Sequence, residues 1–324
     1  MSHDLEASFL LTSQSAAIAA SRTMGFGDRE RSDHVATEAM RAAMDTTPMR
    51  GRIVIGEGER DEAPMLFIGE EVGNQAPGSP EIDIAVDPLE GTNLTATGAP
   101  DSITVIAASP RGGLLHAPDV YMDKIVVGPR SRGAISIEAS VDENLSAVAR
   151  CLKRSVSDLL VVILDRPRHE QLIADVRRAG ARIRLIGDGD LAPGIAAALL
   201  GTGVHAVMGA GGAPEGVLTA AAMRCLGGDI EGRLMPAKPG DKERLEKAGY
   251  DDLDRTFTIE DLAPSDDIVF SATGVTNGAL LRGVRFFGGG CRTQSIVMRS
   301  KSPRHMRWVD QIHLDPGYDG SIRA

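Results

Sequence analysis

In DPLEGTNL (Asp87–Leu94) two carboxylates, a glycine and a hydroxyl follow one another at the end of an apolar, alternating run. Pro88 forces a turn after Asp87, Gly91 lets the backbone approach a ligand, and Thr92 stands where a helix could begin. Asp87, Glu90 and the Thr92 hydroxyl are hard oxygen donors, the set that suits Mg²⁺ or Mn²⁺. The bland alternative is a turn with an Asp cap and a Thr N-cap. GEGERDEAP (Gly56–Pro64) repeats the theme with Glu57, Glu59, Asp61 and Glu62, and its bland reading is a solvated acidic loop. Both segments follow strand-like runs, and active sites of α/β sheets gather at the carboxyl ends of strands, which favours a site over two unrelated loops. Asp33, in GDRERSDHVA, lies on the early turn of a helix, where the helix dipole alone would also favour an acid.

Three further segments carry binding chemistry. DRPRH (Asp165–His169) sets two arginines beside a strand end, and guanidinium forks match phosphate geometry; an exposed basic turn is the alternative. DGD (Asp188–Asp190) is suited to sugar hydroxyls or to capping the next helix. GAGGAPEG (Gly209–Gly216) has the strand–glycine loop–helix outline of a dinucleotide fingerprint, but Pro214 occupies the third glycine position. Pro214 instead fits the first turn of a helix that would deliver Glu215 to a shared metal cluster.

The elements that must position these groups follow from hydrophobic periodicity. Helices are expected over Leu5–Met24 and from about Ser32 to Met44, and strands over Arg52–Gly56, Glu81–Asp87 and Ser102–Ser109. A helix near Asp142–Lys153 then opens an alternation: strand Leu159–Asp165, helix His169–Ala179, strand Arg182–Asp188, an Ala-rich helix and strand Val204–Gly209. Such alternation indicates βαβ units and a parallel sheet. Asp267–Gly274 and Thr293–Arg299 are the strands of the tail. The pattern predicts two α/β lobes, residues 1–140 with the metal-binding acids and 141–324 with the phosphate-binding residues.

The chain has 324 residues, 42% hydrophobic and 25% charged, enough to bury a large core and inconsistent with disorder. No apolar run approaches the ~20 residues of a membrane-spanning helix. The excess of 45 Asp and Glu over 35 Lys and Arg, a net charge of −10, argues against nucleic acid as partner, and 3% aromatics offer few stacking platforms. Cys151, Cys225 and Cys291 are scattered and match no metal spacing; they read as small buried residues of a reducing compartment, and MSHDLEASFL lacks a signal peptide's basic flank. A cytoplasmic enzyme whose acids load cations, and whose cations meet an anionic substrate, reconciles the charge with the arginines.

Taken together, GDRERSD, RIVIGEGERDEAPMLFIGEEVG, DIAVDPLEGTNL, APDVYMDK, DRPRH, DGD, GAGGAPEGV and FSATGVTNG resemble the class II fructose-1,6-bisphosphatases of the lithium-sensitive sugar and inositol phosphatase superfamily. The motifs occur in family order across most of the chain; DPLEGT alone would mark only the superfamily. AAMRCLGGDIEGRL and GVRFFGGGCRTQS are similar to the cyanobacterial branch, which also hydrolyses sedoheptulose-1,7-bisphosphate. The resemblance implies a two-lobed, layered α/β/α/β/α sandwich, two or more Mg²⁺ or Mn²⁺ ions, a sugar bisphosphate substrate and a homodimer or homotetramer.

It also implies residue roles. Asp33 and Glu57 would hold one metal, and Asp87, Glu90 and Glu215 a second. Glu90, Gly91 and Thr92 would approach the reacting phosphate, with Tyr121, Arg166, Pro167, Arg168, Asp188, Gly189, Asp190 and Gly212 around the rest of the substrate. Asp61 and Thr92 would activate and orient the attacking water. Arg29 stands where many members carry lysine; it keeps the charge but cannot give up a proton at ordinary pH. The stretch between Gly73 and Glu81 is shorter than in the cyanobacterial relatives. Competing readings are an inositol monophosphatase-like enzyme, a nicotinamide-dependent oxidoreductase built on the glycine loop, and a non-catalytic binding module.

Overall fold

The computed structural model describes residues 1–58 and 64–318. Two sheets organise them. The larger contains β1 (Arg50–Ile55), β2 (Glu71–Val72), β3 (Glu81–Glu90), β4 (Ile103–Pro110), β10 (Val269–Gly274), β11 (Arg285–Phe287), β12 (Gly290–Arg299) and β13 (His305–Leu314), in the order β11-β12-β10-β4-β3-β1-β2 with β13 also on β12. The smaller contains β5 (Tyr121–Val127), β6 (Leu160–Leu164), β7 (Arg182–Ile186), β8 (Ala206–Gly212) and β9 (Asp229–Met235), in the order β7-β6-β8-β5-β9.

Helices fill three layers around these sheets. α1 (His3–Ser21) and α2 (Arg29–Met44) cover the outer face of the larger sheet, where Phe9, Met40 and Met44 pack with Ile53, Ile84 and Ile106. α6 (Leu191–Ala198) and α7 (Ala213–Leu226) lie between the sheets, meeting Ile55, Ala85 and Val105 on one side and Met122, Val126 and Val207 on the other. α7 buries every residue from Gly216 to Met223 because both of its sides are covered. α4 (Val141–Leu152) and α5 (Glu170–Arg178) cover the outer face of the smaller sheet through Leu145, Val148, Ile173 and Val176. The architecture is the layered α/β/α/β/α sandwich. Along β3 and β4 the alternation is visible in the packing: Ile84, Val86 and Ile106 face the outer helices, Ala85, Val105 and Ala107 the central layer. Short helices α3 (Thr92–Thr97), α8 (Asp241–Lys247) and α9 (Ile259–Leu262) and three single 3₁₀ turns complete the elements of the described residues.

The parallel sheet expected of the alternating segment forms among β6, β7 and β8, while most pairings outside it are antiparallel. β6 pairs in parallel with β7 and β8, and β1 with β3, but β5–β8, β5–β9, β3–β4, β4–β10, β10–β12 and β12–β13 are antiparallel. Crossover helices occur in the segment that supplies β6, β7 and β8; elsewhere the chain returns through hairpins and long excursions. Sheet membership cuts across residue 140, since β5 belongs to the smaller sheet and β10–β13 return to the larger. Cys225 and Cys291 are buried and Cys151 is half-buried, all three as free thiols. No helix among the described residues is long and apolar enough to cross a membrane.

Candidate active site

The ends of β1, β3 and β7 and the early turns of α2, α3 and α7 meet at one cleft of about 330 Å³ between the sheets, lined by Asp33, Glu57, Asp87, Glu90, Thr92, Asn93, Asp119, Asp188 and Glu215 among others. A strand would normally send Asp87 and Glu90 to opposite faces, being an odd number of residues apart. The register with β4 slips between them, and this bulge at Pro88–Leu89 turns both carboxylates into the cleft. Asp87 Oδ1 accepts from Leu89 N at 3.0 Å and Glu90 Oε1 from Leu191 N at 3.1 Å, which fixes both against the turn and against α6. Gly91 has φ +81°, the left-handed region that allows the strand to break directly into α3.

The glycine loop after β8 supplies the third acid. Glu215 sits in the first turn of α7, with Pro214 beside it, and carboxylate oxygens of Asp87, Glu90 and Glu215 all lie within 4.8 Å of one another. A Cβ on Gly212 would stand 1.8 Å from Glu215 Oε2, so only glycine leaves room for this carboxylate. Asp33 on α2 and Glu57 after β1 share a side-chain hydrogen bond, and Glu57 feels the charges of Asp87 and Glu215. Leu66 comes close to Gly56, where a Cβ would meet Leu66 O at 1.9 Å.

Five of the cleft's acids, Asp33, Glu57, Asp87, Glu90 and Glu215, repel one another. Burial, then Asp33 and Glu215, push the Glu57 carboxyl up to about 8. Burial and its acidic neighbours hold Asp87 and Glu90 well above the usual carboxylate range. Burial also raises Asp33 and Glu215, the latter opposed by the cation of Lys124. Glu215 Oε2 is buried with no hydrogen-bond partner among the described residues. An orphaned oxygen inside an all-oxygen donor set, with carboxyls destabilised as anions, fits hard divalent cations. Asp87, Glu90 and Glu215 form one candidate ligand group, and the hydrogen-bonded Asp33 and Glu57 lie beside it.

Basic residues adjoin the cleft. Arg168 donates from Nε and one terminal nitrogen to Ala210 O at 3.1 and 2.8 Å, and its guanidinium lies 4.5 Å from the centre of the Tyr121 ring. Lys238 Nζ approaches the same ring at 5.3 Å. Tyr121 opens β5 directly opposite Gly212. Arg166 reaches to 3.8 Å from Asp188, Asp188 accepts from Asn93 Nδ2 at 2.8 Å, and Asn93 Oδ1 accepts from Arg29 at 3.0 Å. Arg29 therefore stands at the head of α2 at the end of this polar chain. Pro167 begins the short turn between the two arginines, and a Cβ placed on Gly189, whose φ is +74°, would stand 3.8 Å from Glu90 Oε1. Thr92 Oγ1 donates to Leu89 O at 3.0 Å and lines the cleft. Asp61 lies outside the described residues, as do Glu59 and Glu62.

The family model described as bacterial fructose-1,6-bisphosphatase, glpX-encoded, matches residues 3–313. The chain belongs to this family. A relative from Synechococcus sp. (strain JA-3-3Ab), named D-fructose 1,6-bisphosphatase class 2/sedoheptulose 1,7-bisphosphatase, is 49% identical over 326 aligned residues covering 94% of each chain. One of the same name from Microcystis aeruginosa is 50% identical over 323 residues, 93% of each. A solved structure, extragenic suppressor protein suhB from Bartonella henselae, aligns with TM-score 0.32 and 16% identity over 61% of this chain and 73% of its own, too slight a likeness to bear on the fold.

For this glpX-type bisphosphatase chain, several groups that shape the site carry no signal in local pattern. Lys124 is 1% exposed, its Nζ 2.9 Å from Asp190 Oδ2 and 3.2 Å from Gly212 O. It sits mid-strand in a run with no other basic residue, and only the facing Asp190 explains it. His169 is buried; Nδ1 donates to Leu164 O at 2.7 Å and Nε2 accepts from Ala210 N at 2.8 Å, clamping the arginine turn to β8. Its place directly after the two arginines is the one hint the sequence offers. Asn93 and Asp119, inside motifs already singled out, join the cleft without having been assigned a role.

Proposed function

We propose that this chain hydrolyses the C1 phosphate of fructose-1,6-bisphosphate to fructose-6-phosphate and inorganic phosphate, and that it also accepts sedoheptulose-1,7-bisphosphate. One observation carries the reading: a buried carboxylate cluster lines the cleft, and the arginine turn adjoins it through Arg166, 3.8 Å from the cleft residue Asp188. A substrate with a phosphate at each end matches a carboxylate cluster for one phosphate and neighbouring arginines for the other. The names of relatives about 50% identical along nearly the whole chain support both substrates.

Asp33 and Glu57 would hold one divalent cation, and Asp87, Glu90 and Glu215 another, Mg²⁺ or Mn²⁺. Cations held there supply charge neutralisation at the phosphoryl oxygens and lower the pKa of water. The chain's own residues do the rest. Thr92 Oγ1 spends its proton on Leu89 O, leaving lone pairs to orient an attacking water. Asp61 would take the proton from that water, a role worth typically ~10²–10⁴ in rate. Arg166 and Arg168 would grip the distal phosphate, so that binding away from the reacting bond fixes its geometry. Tyr121, Asp188, Gly189, Asp190 and Gly212 would line the sugar between. Arg29, bonded to Asn93, would neutralise charge and not relay a proton. A cytoplasmic homodimer or homotetramer completes the reading.

The test is phosphate release from fructose-1,6-bisphosphate with Mg²⁺, with Mn²⁺ and with chelator, alongside sedoheptulose-1,7-bisphosphate and inositol-1-phosphate. Chelator-sensitive release from the two bisphosphates and not the monophosphate is expected. Faster turnover of inositol-1-phosphate would replace the reading with an inositol monophosphatase-like one.

A further inference from the structure

A second pocket lies at the opposite end of the smaller sheet from the arginine turn. It has a volume of about 240 Å³ and is formed where β5 ends, β6 and β8 begin, and the last turn of α6 passes. Leu199, Leu200 and Val204 give it an apolar wall, and Arg130, Arg154 and His205 bring positive or neutral donors. No Asp or Glu lines it among the described residues, in a chain with net charge −10.

Its hydrogen bonding is incomplete in a directed way. His205 N donates to Leu160 O at 3.0 Å and His205 Nδ1 accepts from Leu160 N at 2.9 Å, which locks the ring against β6. A backbone N–H can only donate, so Nδ1 bears no proton and Nε2 carries it. That Nε2–H faces a terminal nitrogen of Arg154 at 3.0 Å. Two donors thus converge with no acceptor between them. Arg130 is exposed and has no hydrogen-bond or ion-pair partner among the described residues. These cations are not needed to cap α6: Ala196 O accepts from Leu199 N and Thr202 Oγ1, and Leu199 O from Thr202 Oγ1.

We propose that this pocket binds a small phosphorylated ligand with an apolar body, its phosphoryl oxygens accepting from both Arg154 and the His205 Nε2–H, with Arg130 at the rim. A phosphate group has the acceptors that the two facing donors lack, and charge-assisted bonds to guanidinium are among the stronger hydrogen bonds. The apolar wall takes the remainder of the ligand. Burial, with Arg154 and Arg182 nearby, holds His205 below the usual histidine range, against the pull of Asp158, so the empty pocket presents a neutral imidazole. A bound dianion would push that ring back up. The site is independent of the proposed bisphosphatase activity, because it shares no residue with the acidic cleft.

The probe is phenylphosphonate, which has an apolar ring, an anionic head and no ester bond for a phosphatase to cleave. His205 is followed in the full chain by its ring ¹³C–¹H resonance, assigned by its disappearance in His205→Gln. A saturable shift with Kd of about 1 mM or tighter is expected, with the His205 pKa raised in the complex. Arg154→Leu and Arg130→Leu, both at exposed positions, each weaken binding, Arg154→Leu by about tenfold or more. Inorganic phosphate binds more weakly than phenylphosphonate if the apolar wall contributes. A His205 resonance unmoved at about 20 mM phenylphosphonate, a titration unchanged in both arginine variants, or phosphate binding as tightly as phenylphosphonate would each overturn the proposal.

Discussion

Replacing Lys124 with methionine keeps the length and the apolar stem and removes one buried charge. Its Nζ lies 2.9 Å from one Asp190 oxygen, 3.2 Å from the other and 3.2 Å from Gly212 O, and both side chains are almost wholly buried. At an effective dielectric of about 20, a pair at this distance attracts by roughly 6 kcal/mol, a ceiling that desolvation of both groups reduces. Removing one partner leaves Asp190 buried and unpaired beside Glu90 and Glu215, whose charges already oppose it. Breaking a buried pair in this way costs about 3–5 kcal/mol, a large part of a typical stability of 5–15 kcal/mol. Asp190 makes no side-chain cap bond at the start of α6, so removing it as well sacrifices no cap. Lys124→Met should therefore unfold at markedly lower urea concentration, and Lys124→Met/Asp190→Leu should recover at least half of the loss. Urea titration followed by circular dichroism, with chelator present, measures both. A single substitution costing under about 1 kcal/mol, or a double variant as weak as the single, would refute the electrostatic account of this buried lysine.

The acidic cluster makes a pH prediction whose sign is fixed. Carboxyls raised in the folded state contribute stability that is full below their unfolded pKa and lost as pH rises through the folded value, for Glu57 from 4.5 up to about 8. Between about pH 6.5 and 8.5, above the lowered histidines His205 and His313, the thermal midpoint of chelated protein should fall, and saturating Mn²⁺ should abolish the fall; a flat chelated profile would contradict the site. Gly212→Ala puts a methyl against Glu215 Oε2 and should displace that carboxylate, lowering Mn²⁺ affinity about 10–100-fold by calorimetry while leaving urea stability little changed. Arg168→Ala should raise KM for fructose-1,6-bisphosphate about 10–100-fold with kcat within about threefold, the loss of one charge-assisted contact. A fall in kcat alone would take Arg168 out of the distal grip.

Local pattern was enough to read much of the scaffold. Alternation in EIDIAVD and ITVIAASP announced β3 and β4, and helical spacing announced α1, α2, α4 and α5, because side-chain direction within one element depends only on its own period. Strands β5, β9 and β13 escaped such reading: YMDKIVV, DIEGRLM and HMRWVDQIHL interleave charge with apolar residues, and their pairing surfaces come from elsewhere in the chain. That β10–β13 return to the larger sheet, and that most pairings are antiparallel, is likewise a matter of which edges are complementary after collapse.

The same division runs through the site. The acids of DPLEGT and GEGER, the arginines of DRPRH and the helix-starting Pro214–Glu215 stand out by residue type at strand ends, and so the class of chemistry was written in the sequence. Their convergence was not. Asp87 and Glu90 share a cleft only because a bulge overrides strand parity; Pro88 marks a break in β3, but only the register with β4 shows that it turns both carboxylates the same way. Lys124 looks like an interruption of a strand until Asp190, on a loop of distant origin, is placed 2.9 Å away. Residue type and spacing set what each group is able to do. Desolvation and the distances between segments remote in the chain, which exist only in the folded structure, set the charge each group carries and which partner it meets.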